Sequence, residues 1–249
     1  MSVTNKCNLK CRTCNIWQTY IHTPHLAEQE MSLEDYELFF KNFKFWNWIS
    51  ITGGEPFIRE DLTDIIQVAY NSCKGLHTIS IVTNGYLTDK IVDDVKKMLV
   101  IGVPSLYVSI SLDGLKELHD MNRGVDGSFE RAISTYESLN ELRNRRLKIH
   151  FEYLISKYNQ GKLAETLTTL KIDPNNIILT IAQRSSFYYN MSLNIEPNRD
   201  VLIQDIKWFM SRLKTLSIHD IAQKVFLKHV CNLTPIPCIA GRNSFYLDP

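Results

Sequence analysis

The feature that most restricts the fold is a regular alternation of short apolar segments with longer amphipathic ones. The runs ISIVT, LYVSISL and IILTI are almost continuously apolar and rich in β-branched residues, as expected of parallel strands covered on both faces. Repeats of about 30 residues predict βαβ units joined by right-handed crossovers, in an open doubly wound sheet or a barrel. The predicted strands are 2–4, 48–52, 78–83, 106–111, 148–155 and 177–181.

Amphipathic helices are predicted between these strands. Ser32 is expected to cap one helix, with Asp35 completing a capping box that has a shorter acid than usual. Another helix is predicted to begin at a capping Thr88 and to end at Gly102, a residue type that often follows the last helical turn. Further helical patterns cover 59–73, 128–143, 159–171, 199–216 and 218–229.

Composition excludes several classes of protein. A formal charge of +1 argues against a chain that coats nucleic acid or a membrane surface. The chain lacks both an apolar run of about 18 residues and a cleavable leader, so a cytoplasmic protein is predicted. The six cysteines, three of them crowded together, do not resemble a disulfide framework. Both ends of the chain suggest a piece cut from a longer protein.

Polar residues cluster directly after the predicted strands. TNKC follows the first strand, TGGEP the second, TNG the third, SLDG the fourth and AQR the sixth. In parallel α/β folds the carboxyl ends of the strands carry the active site. The sequence therefore predicts that these loops form one site.

Three cysteines in the first of these loops predict a metal centre. Cys7, Cys11 and Cys14 have the spacing C-x3-C-x2-C, and no fourth cysteine is near them in the sequence. Structural zinc takes four protein ligands, and a fully protein-ligated [4Fe–4S] cluster takes four cysteines. Three thiolates leave one iron open to a small chelating molecule. A zinc site completed by a distant histidine, or a chance grouping, remains an alternative at this point.

The segment CNLKCRTC resembles the cluster loop of the radical S-adenosylmethionine (SAM) enzymes. GGEP, TNG and SLDG follow in the order found in that family, so the resemblance covers about residues 1–185. It implies an α/β fold, a partial (β/α)6 TIM-like barrel of parallel strands with an incomplete C-terminal extension. It also implies a [4Fe–4S] cluster on Cys7, Cys11 and Cys14, with SAM bound to the fourth iron. Reduction of SAM would then give methionine and a 5′-deoxyadenosyl radical that abstracts hydrogen from a substrate.

The same resemblance implies residues that bind SAM. Gly53 and Gly54 would let the backbone approach the ligand closely. Glu55, on an edge stiffened by Pro56, would accept from the SAM ammonium group. The alternative for GGEP is an ordinary turn between a strand and a helix.

Further SAM contacts are implied at the later loops, and no catalytic residue is assigned. Asn84 would bind the ribose or methionine part, or else form a common Asn-Gly turn. Ser111 and Asp113 would face the ribose or carboxylate, although Asp113 could instead cap a turn. Arg123 would pair with the SAM carboxylate, the alternative being a surface salt bridge. His119 is predicted to be associated with a helix, and Cys73 to be a buried structural thiol.

The end of the chain, PCIAGRNSFYLDP, resembles the opening of the SPASM or twitch extension of radical SAM enzymes. This divides the chain into a barrel at 1–217 and a helical linker with a truncated extension at 218–249. Cys238 would then help to hold an auxiliary [4Fe–4S] cluster in a longer protein. The implied substrate is a peptide or protein side chain, and the implied electron donor is a flavodoxin, a ferredoxin or their reductase. A small-metabolite substrate, such as a haem or pterin precursor, and an iron–sulfur or zinc module without SAM chemistry are the alternatives.

Overall fold

The computed structural model describes residues 1–232 and Leu247. Its centre is a sheet of five parallel strands in the sequential order β1-β2-β3-β4-β5. A doubly wound sheet reverses its strand order, whereas a barrel adds each new strand to the same edge. The sheet curls into a half-barrel surrounded by helices, which confirms the predicted partial barrel. The strands are β1 Trp48–Ile51, β2 Thr78–Thr83, β3 Ser105–Leu112, β4 Leu147–Ile155 and β5 Ile177–Ile181.

The first predicted strand, 2–4, is reduced to a single parallel bridge between Ser2 and Thr52. Val3 N donates to Thr52 O at 3.0 Å, so the segment does lie beside β1. The ladder stops there because Val3 O, the next carbonyl in register, accepts from Arg59 Nη1 at 2.8 Å, and Gly54 N donates to Thr4 O at 2.7 Å instead. The first segment therefore connects the sheet to the GGEP loop.

Nine helices are described within residues 1–232, and they alternate with the strands over most of the chain. They are α1 Thr19–His22, α2 Leu33–Asn42, α3 Leu62–Ser72, α4 Thr88–Ile101, α5 Lys116–Arg123, α6 Ser128–Glu141, α7 Leu163–Thr169, α8 Arg199–Arg212 and α9 Ile218–Asn232. No bounds were predicted for helices α1 and α5, although His119 in α5 was expected to be associated with a helix. In the described part of the chain, no helix is long and apolar enough to span a membrane.

Two of the predicted caps are confirmed and one is wrong. Ser32 and Asp35 form the capping box at the start of α2, with Asp35 N donating to Ser32 Oγ at 3.2 Å. Gly102 ends α4 with a φ of 98°, in the left-handed region. Thr88 is the first helical residue of α4 rather than its cap. Its hydroxyl accepts from Thr135 Oγ1 at 2.8 Å and so joins α4 to α6.

The two faces of the sheet have different partners. Ile110 of β3 and Phe151 of β4 are buried against α6, where the ring of Phe151 stacks on Tyr136 with 4.1 Å between centroids. Side chains alternate along a strand, so the next residues, Ser111 and Glu152, face the concave side of the half-barrel. That concave side is where the candidate site lies.

The outer edge of β5 is covered by α9. Gln223 Oε1 accepts from Leu179 N at 3.1 Å, and Gln223 Nε2 donates to Ile177 O at 3.1 Å. One side chain therefore satisfies both a backbone donor and a backbone acceptor of the last strand.

On the other side of the fold, Cys73 is buried at the end of α3, as predicted.

Candidate active site

A cavity of about 810 Å³ opens at the carboxyl ends of the strands. Eight of the predicted cluster- and SAM-binding residues line it: Cys7, Cys11, Cys14, Gly53, Gly54, Asn84, Ser111 and Arg123. Glu55, Pro56 and Asp113 are buried behind this lining. Cys238, the predicted auxiliary ligand, lies outside the described residues.

Gly53 and Gly54 allow the chain that leads into the cysteine loop to pack against them. A Cβ on Gly53 would lie 2.4 Å from Thr4 O, and one on Gly54 would lie 2.2 Å from Lys6 O. Both distances are far shorter than any real contact, and both are to backbone atoms that cannot rotate away. The close approach predicted for a ligand is therefore found, in this structure, for the protein's own backbone.

Two further sets of hydrogen bonds fix the cysteine loop. On one side, Lys10 N donates to Arg123 O at 2.9 Å, next to the end of α5. On the other side, Asn15 N donates to Tyr188 O at 3.0 Å, and Asn190 Nδ2 donates to Thr13 O at 2.8 Å. Asn190 was not predicted as a site residue. The only signal for it was the polar stretch after the sixth strand, which contained no recognisable motif.

The three cysteines are half-buried and line the cavity together. Burial raises the pKa of Cys7 and of Cys14 to about 12, and the neighbouring Cys11 adds to both shifts. Burial also raises the pKa of Cys11, while the nearby Arg123 opposes that shift. These raised pKa values favour the protonated thiols in the absence of a metal, and metal binding would displace the protons.

The donor set fits an iron–sulfur cluster. Within residues 1–232, no three His, Cys, Asp or Glu side chains converge closely enough to hold one metal ion. A [4Fe–4S] cluster takes one thiolate on each iron, so its ligands need not converge on a single point. Three soft sulfur donors facing one cavity suit iron–sulfur chemistry and do not suit Mg²⁺ or Ca²⁺.

Glu55 ties the GGEP loop to the TNG loop. Its Oε1 accepts from Thr83 Oγ1 at 2.8 Å and from Phe57 N at 3.2 Å, and its Oε2 accepts from Asn84 N at 2.7 Å. Burial raises the pKa of Glu55 to about 7, and these hydrogen bonds act in the opposite direction. Both carboxylate oxygens are thus engaged within the protein. Its contact with the SAM ammonium group stays a prediction.

Asn84 forms the predicted turn and also lines the cavity, while its contact with SAM stays a prediction. Its side-chain oxygen accepts from Tyr86 N at 2.9 Å, which is the Asn turn given as the alternative. Its Nδ2 donates to Asn8 Oδ1 at 2.8 Å in the cysteine loop, and the residue also lines the cavity. Turn formation and exposure to the cavity are therefore compatible here.

Arg123 forms a buried ion pair, so the alternative of a surface salt bridge is wrong. Its Nε lies 2.8 Å from Asp113 Oδ2, and its Nη2 donates to Asp113 Oδ1 at 2.9 Å. The two side chains are only 12% and 7% exposed. The remaining nitrogen, Nη1, donates to Cys11 Sγ at 3.8 Å.

His119 lies in α5, as predicted, and supports this ion pair from behind. The residue is fully buried, and its Nδ1 accepts from Asp113 N at 3.2 Å. Burial lowers the pKa of His119 to about 4, and the charge of Arg123 acts in the same direction. In the folded chain this imidazole therefore stays neutral at a mildly acidic pH at which it is protonated in the unfolded chain.

A pH-dependent loss of stability follows from His119. Because the unfolded chain takes up a proton near pH 6.5, the folded state is destabilised progressively below that pH, by about 2 kcal/mol at about pH 5. His119→Asn keeps an acceptor for Asp113 N and removes this titration. We expect urea unfolding to show a smaller loss of stability for the variant between about pH 7 and 5. Equal losses in both proteins would contradict this assignment.

Besides Asn190, two groups of cavity residues were missed by the sequence analysis. Glu152 and Thr180 lie on β4 and β5, and Glu152 pairs in register with Ser111. Phe226, His229 and Val230 reach the cavity from α9. The helix that begins at the predicted domain boundary therefore forms a wall of the same cavity as the barrel.

The chain matches the sequence profile of the Radical SAM superfamily over residues 1–170. It is 30% identical over 208 residues to Fe-coproporphyrin III synthase of Methanosarcina barkeri (strain Fusaro / DSM 804), which covers 81% of this chain and 48% of that protein. It is 32% identical over 152 residues to GTP 3',8-cyclase of Haemophilus influenzae (strain PittEE), covering 52% and 40%. The chain thus spans about half the length, or less, of these curated relatives.

Solved structures share the fold at lower identity. anSMEcpe with bound AdoMet and Kp18Cys peptide superposes with a TM-score of 0.63 at 18% identity, covering 85% of this chain and 59% of that one. Streptococcus suis SuiB bound to S-adenosylmethionine gives 0.56 at 18% identity, covering 84% and 43%. The profile match covers more than half of the chain, and the half-barrel superposes on these two solved structures. The chain belongs to the radical SAM superfamily.

Proposed function

We propose that this chain is the catalytic barrel of an enzyme that cleaves SAM reductively and abstracts hydrogen from a peptide or protein side chain. The observation that carries the proposal is the arrangement of Cys7, Cys11 and Cys14 on one clamped loop that opens into the cavity. When bound there, a [4Fe–4S] cluster and SAM supply the one-electron chemistry that yields a 5′-deoxyadenosyl radical.

The chain's own residues then bind the cluster and SAM, orient them and shield the site from water. In the proposal the three cysteines hold the cluster, and the residues of the later loops bind SAM. The SAM-binding residues are Gly53, Gly54, Glu55, Pro56, Asn84, Ser111, Asp113 and Arg123. Apolar side chains such as Leu9, Ile16 and Ile195 line the remaining wall and exclude water, which protects a reactive intermediate.

The charge of the cavity favours a peptide or protein substrate. Among its lining residues within 1–232, Arg123 is the single lysine or arginine, and Asp113 already neutralises it. Glu152 adds a carboxyl group. A polyphosphate or polycarboxylate substrate requires several cationic partners. A largely uncharged side chain requires none. The peptide bound to the structural neighbour anSMEcpe agrees with this proposal.

A small-metabolite substrate is the second candidate, and the sequence relatives favour it. The relatives at 30–32% identity bear the names Fe-coproporphyrin III synthase, pre-heme d1 synthase and GTP 3',8-cyclase. Both candidates share the first step. In both, we also propose a flavodoxin- or ferredoxin-type electron donor, a cytoplasmic location that keeps the thiols reduced, and an auxiliary cluster involving Cys238 in a longer protein.

One experiment tests the shared step and then separates the substrates. The chain is loaded anaerobically with iron and sulfide, reduced, and assayed for 5′-deoxyadenosine formed from SAM. Deuterium transfer from a labelled peptide library into that product is the expected result. Transfer only from a deuterated tetrapyrrole or GTP would select the second candidate. A full cluster that yields no 5′-deoxyadenosine, and whose paramagnetic signal is unchanged by SAM, would indicate a module without SAM chemistry.

A further inference from the structure

We propose that Arg123 tunes the reduction potential of the cluster by donating a hydrogen bond to the sulfur of Cys11, in an orientation set by Asp113. This inference rests on the proposed function, because it requires Cys11 to be a cluster ligand. It adds a role for Arg123 that is distinct from pairing with the SAM carboxylate.

The ion pair determines which nitrogen faces the sulfur. Asp113 contacts the Nε and Nη2 edge of the guanidinium, at 2.8 and 2.9 Å. The guanidinium is a rigid planar fork, so occupying that edge leaves Nη1 directed elsewhere. Nη1 lies 3.8 Å from Cys11 Sγ, within hydrogen-bonding range for sulfur. Asp113 thus orients Nη1 toward the sulfur and lies on the opposite edge of the guanidinium.

The backbone holds the two partners together. Lys10 N donates to Arg123 O, and Arg12 N donates to Asn122 O, each at 2.9 Å. These two bonds flank Cys11 on the cysteine loop and join it to the last turn of α5. Gly124 follows in the left-handed region, and a Cβ there would lie 2.4 Å from Lys10 O. The backbones of Arg123 and Cys11 are therefore fixed relative to each other, and Asp113 orients the side chain that joins them.

Burial makes this contact effective. The Arg123 side chain is 12% exposed and that of Asp113 7% exposed, so water screens their charges weakly. The pair has no net charge, but its positive end faces the sulfur. Hydrogen bonds to cluster sulfurs and nearby positive charge stabilise the more negative reduced state, and so raise the reduction potential.

The test is a redox titration of the cluster-loaded protein without SAM, followed by the paramagnetic signal of the reduced cluster. The variant Arg123→Gln/Asp113→Asn removes the donor and the acid together, so neither charge is left buried alone. We expect its midpoint potential to be more negative than that of the wild type. Arg12→Gln is the matched control: it removes a guanidinium from the same loop, where that group lies 4.1 Å from the centroid of the Tyr158 ring. We expect its potential to equal that of the wild type.

Two results would overturn the proposal. One is a fully loaded double variant with the wild-type potential; if that variant also binds SAM more weakly, Arg123 is a SAM ligand alone. The other is an equal shift in Arg12→Gln, which would indicate a general effect of charge.

A conservative variant and a prior measurement complete the design. If the double variant does not load, Arg123→Lys is titrated instead. Lysine keeps the charge but lacks the planar fork that directs Nη1 to the sulfur while Asp113 occupies the other edge, so a smaller negative shift is expected and an unchanged potential refutes the proposal. Cluster content of the wild type is measured first. A wild-type chain that holds no cluster refutes the proposed function, whereas a loaded one with unshifted variants refutes only this inference.

Discussion

Cys11→Ala will abolish both cluster assembly and the cleavage of SAM, whereas Cys73→Ala will leave both intact. Cys11 lines the cavity, and its backbone is held on both sides by the end of α5, so no other thiol can take its place. Removing a supporting residue around a metal site typically costs roughly 10- to 100-fold, and the loss of a ligand should exceed that. Iron and sulfide content per chain and the yield of 5′-deoxyadenosine measure the effect.

Cys73 is the matched control for this variant. It is a buried thiol at the end of α3, and its Sγ donates to Phe43 O at 3.8 Å, away from the cavity lining. Its replacement should lower the free energy of unfolding by about 1 kcal/mol and leave the iron content per chain unchanged. A Cys73→Ala chain without a cluster, together with a loaded Cys11→Ala chain, would reverse the ligand assignment.

The second large effect is expected for Gly54→Ala. The new Cβ would lie 2.2 Å from Lys6 O and 2.7 Å from Lys6 C, so the chain leading to Cys7 must move. Overpacking of this kind costs about 1–3 kcal/mol, and more when the obstacle is backbone. We expect lower stability in urea and a larger, separate loss of iron content, because the cysteine loop depends on this contact.

Gly75→Ala supplies the comparison. The nearest atom to its Cβ is Trp46 O at 3.8 Å, an ordinary van der Waals distance. The change in stability should stay within about 0.5 kcal/mol, and iron loading should not change. If Gly54→Ala behaved like Gly75→Ala, the cysteine loop would not require the tight junction that the structure shows.

The sequence was sufficient to predict the five strands of the sheet and the edge that carries the site, although it also predicted a strand at 2–4 that is only a single bridge. Hydrophobic runs such as LYVSISL and IILTI mark buried parallel strands without reference to any partner, and β3 and β5 coincide with them to within a residue. The loops after the strands were expected to meet for the same topological reason. The cavity indeed joins the cysteine loop to residues of the GGEP, TNG and SLDG loops.

The partners of individual side chains could not be predicted in the same way. The pairing of Arg123 with Asp113, and the three donors to Glu55, depend on how loops distant in sequence pack against each other. Thr88 looked like a helix cap because its local sequence allowed one, but the contact with α6 determined its role. The wall formed by α9 likewise results from tertiary packing, which local periodicity does not report.

Gln223 has a consequence for how a substrate can approach. An uncovered last strand offers its N–H and C=O groups to any extended peptide, which can then join the sheet as a further strand. By bonding to Leu179 N and Ile177 O, the Gln223 amide removes that template along β5. The fold is thereby protected from edge-to-edge aggregation at this strand. Under the proposed function, a peptide substrate would therefore reach the site through the mouth of the cavity and not by joining β5 at these positions.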